Sequence, residues 1–156
     1  MLDNAEAWLP FPEPLCGFQA GPYNRNMKLR IQGNSIRFRV TQSEMAALAA
    51  GAKLEESTQF GPAPSENLTY AIEISSQCSD IRASYSKGKV EVAIPADLAR
   101  TWASTSQVGI EHSQPIARGE VLKIILEKDF HCLHSKLGED ERDNFPNPGD
   151  PSGGQE

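Results

Sequence analysis

Residues 27–51, MKLRIQGNSIRFRVTQSEMAALAAG, constrain the fold more than any other stretch, because a hairpin signal runs straight into a helix-start signal. Apolar Leu29 and Ile31 alternate with Lys28, Arg30 and Gln32, and apolar Ile36, Phe38 and Val40 alternate with Arg37 and Arg39. That period of two predicts two half-buried strands. Gly33-Asn34 between them suits the positive φ of a tight hairpin connection, so the strands are expected to pair antiparallel with their apolar residues on one face. Lys28, Arg30, Arg37 and Arg39 then share the opposite face. Thr41-Gln42-Ser43-Glu44 has capping-box spacing and Gly51 suits a left-handed C-terminal residue, which predicts a helix over about 42–50.

The same signals recur along the chain. Strands are expected over 53–60, 68–75, 81–85, 90–94, 108–112 and 120–127, with turn-rich GPAPSEN after the first of these and Lys87-Gly88 between two others. Pro95 at a helix start, Asp97 in its first turn, and Leu98 and Trp102 four apart predict a second short helix over about 95–104. Ile36, Phe38, Val40, Leu48 and Leu54 fall on Val90, Val92, Ile94, Trp102 and Val108 when the chain is shifted by 54 positions. Each half then reads ββαββ, although identity between the halves is almost nil. The expected class is α+β: a curved or barrel-like antiparallel sheet of about eight strands with two short helices.

Both ends differ from this middle. Residues 1–26 mix Pro10, Pro12, Pro14 and Pro22 with Trp8, Phe11, Phe18 and Tyr23 in no helix or strand period, which suggests an extended arm. Residues 136–156 are acidic and rich in proline and glycine, the composition of a disordered tail. Between them, 27–135 is expected to be a single domain, and 38% hydrophobic residues suffice for its core without staples. A net charge of −6 argues against nucleic-acid or anionic-membrane binding by the whole surface, since counterion release needs many cations aimed at phosphates. Cys16, Cys78 and Cys132 are an odd number without a CxxC pair, which fits a reducing, cytoplasmic compartment. No apolar run approaches the ~20 residues of a spanning helix.

The stretch MKLRIQGNSIRFRVTQSE, with LTYAIEI, KGKVEVAIP and EKDFHCLH…GED…FPNP further on, resembles a family of small bacterial proteins known only as a domain of unknown function. The resemblance runs from about Met27 to Pro148. It implies a compact α+β domain, and supplies no activity, cofactor, partner or catalytic residues.

Two groups of residues are candidates for chemistry. Lys28, Arg30, Arg37 and Arg39 on adjacent strands repel one another unless acids or an anion lie among them, and guanidinium groups suit bidentate binding of phosphate or carboxylate. A barrel lined this way is similar to the triphosphate tunnel phosphohydrolases, but KLRIQG stands where that family has alternating glutamates followed by lysine, which removes its metal site. The preferred alternative is cross-strand ion pairing with Glu55, Glu73, Glu91 or Glu127. The readings part on whether Arg30, Arg37 and Arg39 converge on a concave space or spread over a flat, neutralised face. His131 and His134, with Cys132 between them, could share a metal, but the further ligands it needs are only guesses among His112, Glu139 and Asp140. Burial of Cys132 with the histidines at the rim is the simpler expectation. Nucleophilic catalysis by Cys132 requires an imidazole aimed at its sulfur, which adjacent residues seldom achieve. No phosphate loop, nucleophile elbow or HExxH helix occurs. The sequence therefore points to a non-enzymatic binding or interaction module without a cofactor, taking a small anionic ligand or a protein partner, with a phosphate-handling enzyme or anion-binding barrel as the competing class.

Overall fold

The structure is a computed structural model describing residues 26–132, 138 and 140–150. Its elements follow in the order β1 (Lys28–Gln32), β2 (Ser35–Val40), α1 (Gln42–Ala49), β3 (Leu54–Gln59), β4 (Asn67–Ser75), β5 (Arg82–Ser86), β6 (Lys89–Pro95), α2 (Ala96–Ser104), β7 (Gly109–Pro115) and β8 (Val121–Lys128). All eight strands and both helices lie where the periodicity predicts them. The strands divide into two four-stranded sheets, ordered β1-β2-β8-β7 and β3-β4-β6-β5, and do not close into a barrel.

Each sheet combines the first hairpin of one half with the second hairpin of the other, so the halves are intertwined. The exchange makes the sheets mixed: β2 runs parallel to β8, and β4 runs parallel to β6. Ser35 pairs with Lys123 and Lys89 with Thr69, and the members of the two pairs lie 54 residues apart on both strands. The repeat thus extends to the register. At the hairpin tips Gly33 takes φ 53° and Lys87 and Gly88 take φ 50° and 76°, the left-handed region such turns require. A side chain at Gly88 would also meet the Asn67 carbonyl oxygen, at 2.7 Å from the Cβ position.

Between the sheets lie Phe38, Val40, Ile124 and Leu126 from one and Leu54, Ile72, Val92 and Ile94 from the other, all essentially inaccessible. Helices α1 and α2 contact each other and add Leu48 and Trp102, which occupy equivalent positions of the repeat, to the same core. No described helix is long and apolar enough to cross a membrane.

At the start of α1 the Glu44 carboxylate reaches back to the Thr41 N–H at 2.9 Å and receives the Thr41 hydroxyl at 3.1 Å, both groups being buried. Replacing Thr41 by Ala should lower stability by about 1 kcal/mol, read as a shift in the urea midpoint at constant slope. Residues 140–150 carry the acidic composition from which a disordered tail was expected, yet they cap the same helix end. Asp143 accepts the Gln42 and Ser43 amides at 2.9 and 3.1 Å, and the Gln42 side chain bonds the Asn144 carbonyl at 2.7 Å. Phe145 pairs with Phe130 in a short parallel bridge, and the Lys128 ammonium lies 5.3 Å from its ring centre. That ammonium donates to the Thr105 carbonyl at the end of α2 at 2.6 Å, and burial lowers its pKa.

Candidate anion-binding site

Alternation along the first hairpin puts its cations on the outer face of the first sheet, away from the apolar interior. Register sets Lys28 opposite Arg39 and Arg30 opposite Arg37. Like charges directly opposite on a sheet are unfavourable, so the neutralising groups matter. Glu127 of β8 stands beside Arg39, and its two oxygens lie 3.4 Å from the Arg39 Nε and 3.7 Å from the Arg37 Nε. Lys28 pairs at 2.9 Å with Asp129, which is almost fully buried. Arg30 donates to the neutral side-chain Oε1 of Gln32 at 2.9 Å and, among the described residues, faces no carboxylate. The four cations and Leu29 line a depression of about 180 Å³. Ligand pockets for drug-sized molecules run from roughly 300 to 1,000 Å³, so this one suits a single phosphate or carboxylate group.

The second sheet shows what internal neutralisation looks like in the same architecture. There Lys53 lies between Glu73 at 3.1 Å and Glu91 at 2.6 Å, and Lys89 between Glu55 at 3.0 Å and Glu91 at 2.9 Å. Hydrogen bonds from the two lysines hold the Glu91 carboxyl down at about 2. Glu91 occupies the position of the repeat that Arg37 holds in the first half, so the outer face of the second sheet is balanced where that of the first is predominantly basic. Of the acids expected to balance the basic strands, only Glu127 does so. Glu55, Glu73 and Glu91 belong to the other sheet. Because the cations face outward from two unclosed sheets around an apolar interior, no tunnel lined by them forms.

The other candidate ligands are more scattered. His131 lies 3.8 Å from Glu141 through its Nδ1, and the Cys132 amide donates to the same carboxylate at 3.3 Å. His134 and Glu139 lie outside the described residues. Asp140 is engaged by Arg142 at 2.7 Å, which holds its carboxyl at about 2, and His112 stands on β7. Among the described residues no three potential ligands are gathered closely enough to hold a metal ion. Cys132 is exposed, contrary to its expected burial.

One cluster escaped sequence reasoning. Glu44, Glu56 and Tyr70 grip the chain just before β1: the Asn26 amide donates to Glu44 at 2.8 Å, the Met27 amide to Glu56 at 2.6 Å, and the Tyr70 hydroxyl to the Met27 carbonyl at 3.2 Å. Burial, reinforced by the Glu56 charge and the hydrogen bond to it, pushes the Tyr70 hydroxyl up to about 12. Glu44 was legible as a cap, but Glu56 and Tyr70 read as ordinary strand residues.

The sequence model of the family of unknown function DUF7009 matches residues 27–149. The chain belongs to that family. The DUF7009 span takes in all eight strands, both helices, the basic depression and nearly all of the 140–150 segment that caps α1. Comparisons with curated proteins and with solved structures found no match.

Proposed function

We propose that the protein is a non-enzymatic binding module that holds a phosphate or carboxylate group in the depression lined by Lys28, Arg30, Arg37 and Arg39. The observation that carries this reading is the charge of the site: four cations surround one concavity, and among the described residues Glu127 and Asp129 are the carboxylates paired with them. A bound anion relieves the residual repulsion and gives Arg30 a charged acceptor, and guanidinium groups favour bidentate geometry. Among the described residues, nothing beside the depression resembles a nucleophile with its base or a cluster of metal ligands, so the reading is of binding and not turnover.

The test is thermal and urea unfolding during phosphate titration at constant ionic strength, which separates specific binding from screening. The wild type should gain about 2.7 kcal/mol at a phosphate concentration one hundredfold above the dissociation constant. An Arg37→Gln, Arg39→Gln double variant should lose most of that gain, and Arg30→Gln a substantial part. Equal gains in all three proteins would refute the site.

A further inference from the structure

The intertwined repeat treats its two outer hairpins differently. Strands β1 and β5 are equivalent, and each lies at the edge of its sheet. An edge strand presents unpaired N–H and C=O groups that invite another chain. On β5 the protein closes this edge with a side chain: the Gln114 carboxamide of β7 accepts the Ala83 N–H at 2.8 Å and donates to the Ala83 carbonyl at 3.0 Å. Leu29 is the equivalent of Ala83, 54 residues earlier. The equivalent of Gln114 is Phe60, whose ring carries no donor or acceptor and stands 74% exposed.

The register shows which groups are open. A two-residue connection makes Gln32 and Ser35 a mutually bonded pair, so Arg30 with Arg37 and Lys28 with Arg39 are bonded likewise. Met27, Leu29 and Ile31 must therefore direct their backbone groups away from β2. Those of Met27 are taken by Glu56 and Tyr70. Among the described residues, no loop backbone or side chain covers those of Leu29 and Ile31. Beside this open run stand exposed Ile31, which lines a concavity with Ala83, Tyr85 and Leu122 on the apolar side, and Lys28 and Arg30 on the outer face.

We propose that the open edge of β1 takes an extended acidic segment of a partner protein as an added strand, with alternate carboxylates beside Lys28 and Arg30 and the intervening apolar residues against Ile31. The basic depression supplies the charge complement, so the proposal rests on the reading of that site given above. Main-chain hydrogen bonds would supply affinity and the alternating side chains selectivity. Charge also decides against a second copy of this chain, because pairing β1 with itself sets Lys28 and Arg30 against their own counterparts.

The probe is a short acetylated, amidated peptide alternating Glu and Val, with amide hydrogen exchange of the full chain as the readout. Saturating peptide should slow exchange at the Leu29 and Ile31 amides by about tenfold or more. N-methylation of the peptide amides that face β1 should abolish that protection while leaving the peptide's charge intact. Binding of both peptides alike, with no change at Leu29 and Ile31 and with competition by phosphate, would overturn strand addition and leave the anion site standing. Slow exchange at these amides in the free protein would also overturn it, since the edge would then be covered already. A phosphate titration without effect, together with peptide protection of the two amides, would refute the anion site while supporting the added strand. Failure of phosphate and peptide alike would refute both.

Discussion

Trp102→Ala should destabilise the protein by about 3–5 kcal/mol, a large part of the stability of a domain this size. The indole is completely buried between α2 and the two sheets, at the position of the repeat that Leu48 holds on α1. Truncation forfeits its transfer free energy and leaves a cavity where both helices meet the core, and a backbone tied into both sheets has little freedom to collapse onto it. The indole N–H has no acceptor among the described residues, so part of the native burial is already costly. Trp102→Phe, which keeps most of the apolar volume and deletes that donor, should therefore cost under about 1.5 kcal/mol. Urea unfolding of the two variants distinguishes the cases: equal losses would mean that the N–H, and not the ring, carries the stability.

Glu44→Ala should cost about 3 kcal/mol. The carboxylate is 1% exposed and serves the Asn26 amide, the Thr41 amide and the Thr41 hydroxyl, and removing it leaves three donors without their acceptor at about 1–3 kcal/mol each. Relief of the buried charge offsets part of that loss. The same burial makes Glu44 a source of pH dependence. Desolvation raises its pKa above the ordinary 4.5, outweighing the Thr41 and Asn26 hydrogen bonds that lower it. A carboxyl with a raised folded pKa binds more protons folded than unfolded across that window. Its contribution is therefore most favourable below about pH 4.5 and is lost as pH rises through the folded value. Glu91 and Asp140, held at about 2, act in the opposite sense and at lower pH, their stabilisation being lost as pH falls through the folded value. In Glu44→Gln the decline in stability above pH 4.5 should flatten, as read from unfolding midpoints across the acid range. An unchanged profile would show that another group carries it.

The basic outer face of the first sheet and the balanced one of the second bear on how a repeated architecture acquires a site. Arg37 and Glu91 stand at one position of the repeat and leave the interior untouched whichever is present. Strand alternation sends both outward, so the outer faces can diverge while Phe38 and Val92, or Leu126 and Ile72, continue to fill the same core. The Gln114 lace on β5 and its absence on β1 follow the same logic, since an edge can change without altering what the sheet buries.

Local pattern was enough to determine the elements. Alternation of apolar and polar residues reports which side of a strand is buried, proline and capping residues report helix starts, and these signals need no tertiary context. They placed eight strands and two helices, exposed the 54-residue repeat, and put Lys28, Arg30, Arg37 and Arg39 on one face. Tertiary structure alone decided which strands become neighbours. Alternation is the same whether a hairpin pairs with the next one or with its counterpart from the other half, so the exchange that sets β2 beside β8 left no mark in the sequence. That exchange determined the electrostatics: it carried Glu55, Glu73 and Glu91 to the second sheet and left Glu127 between two arginines. Docking of Asp143 and Phe145 was likewise invisible, because a composition averaged over an acidic, proline-rich stretch cannot register the two or three groups that meet a helix end and an aromatic ring.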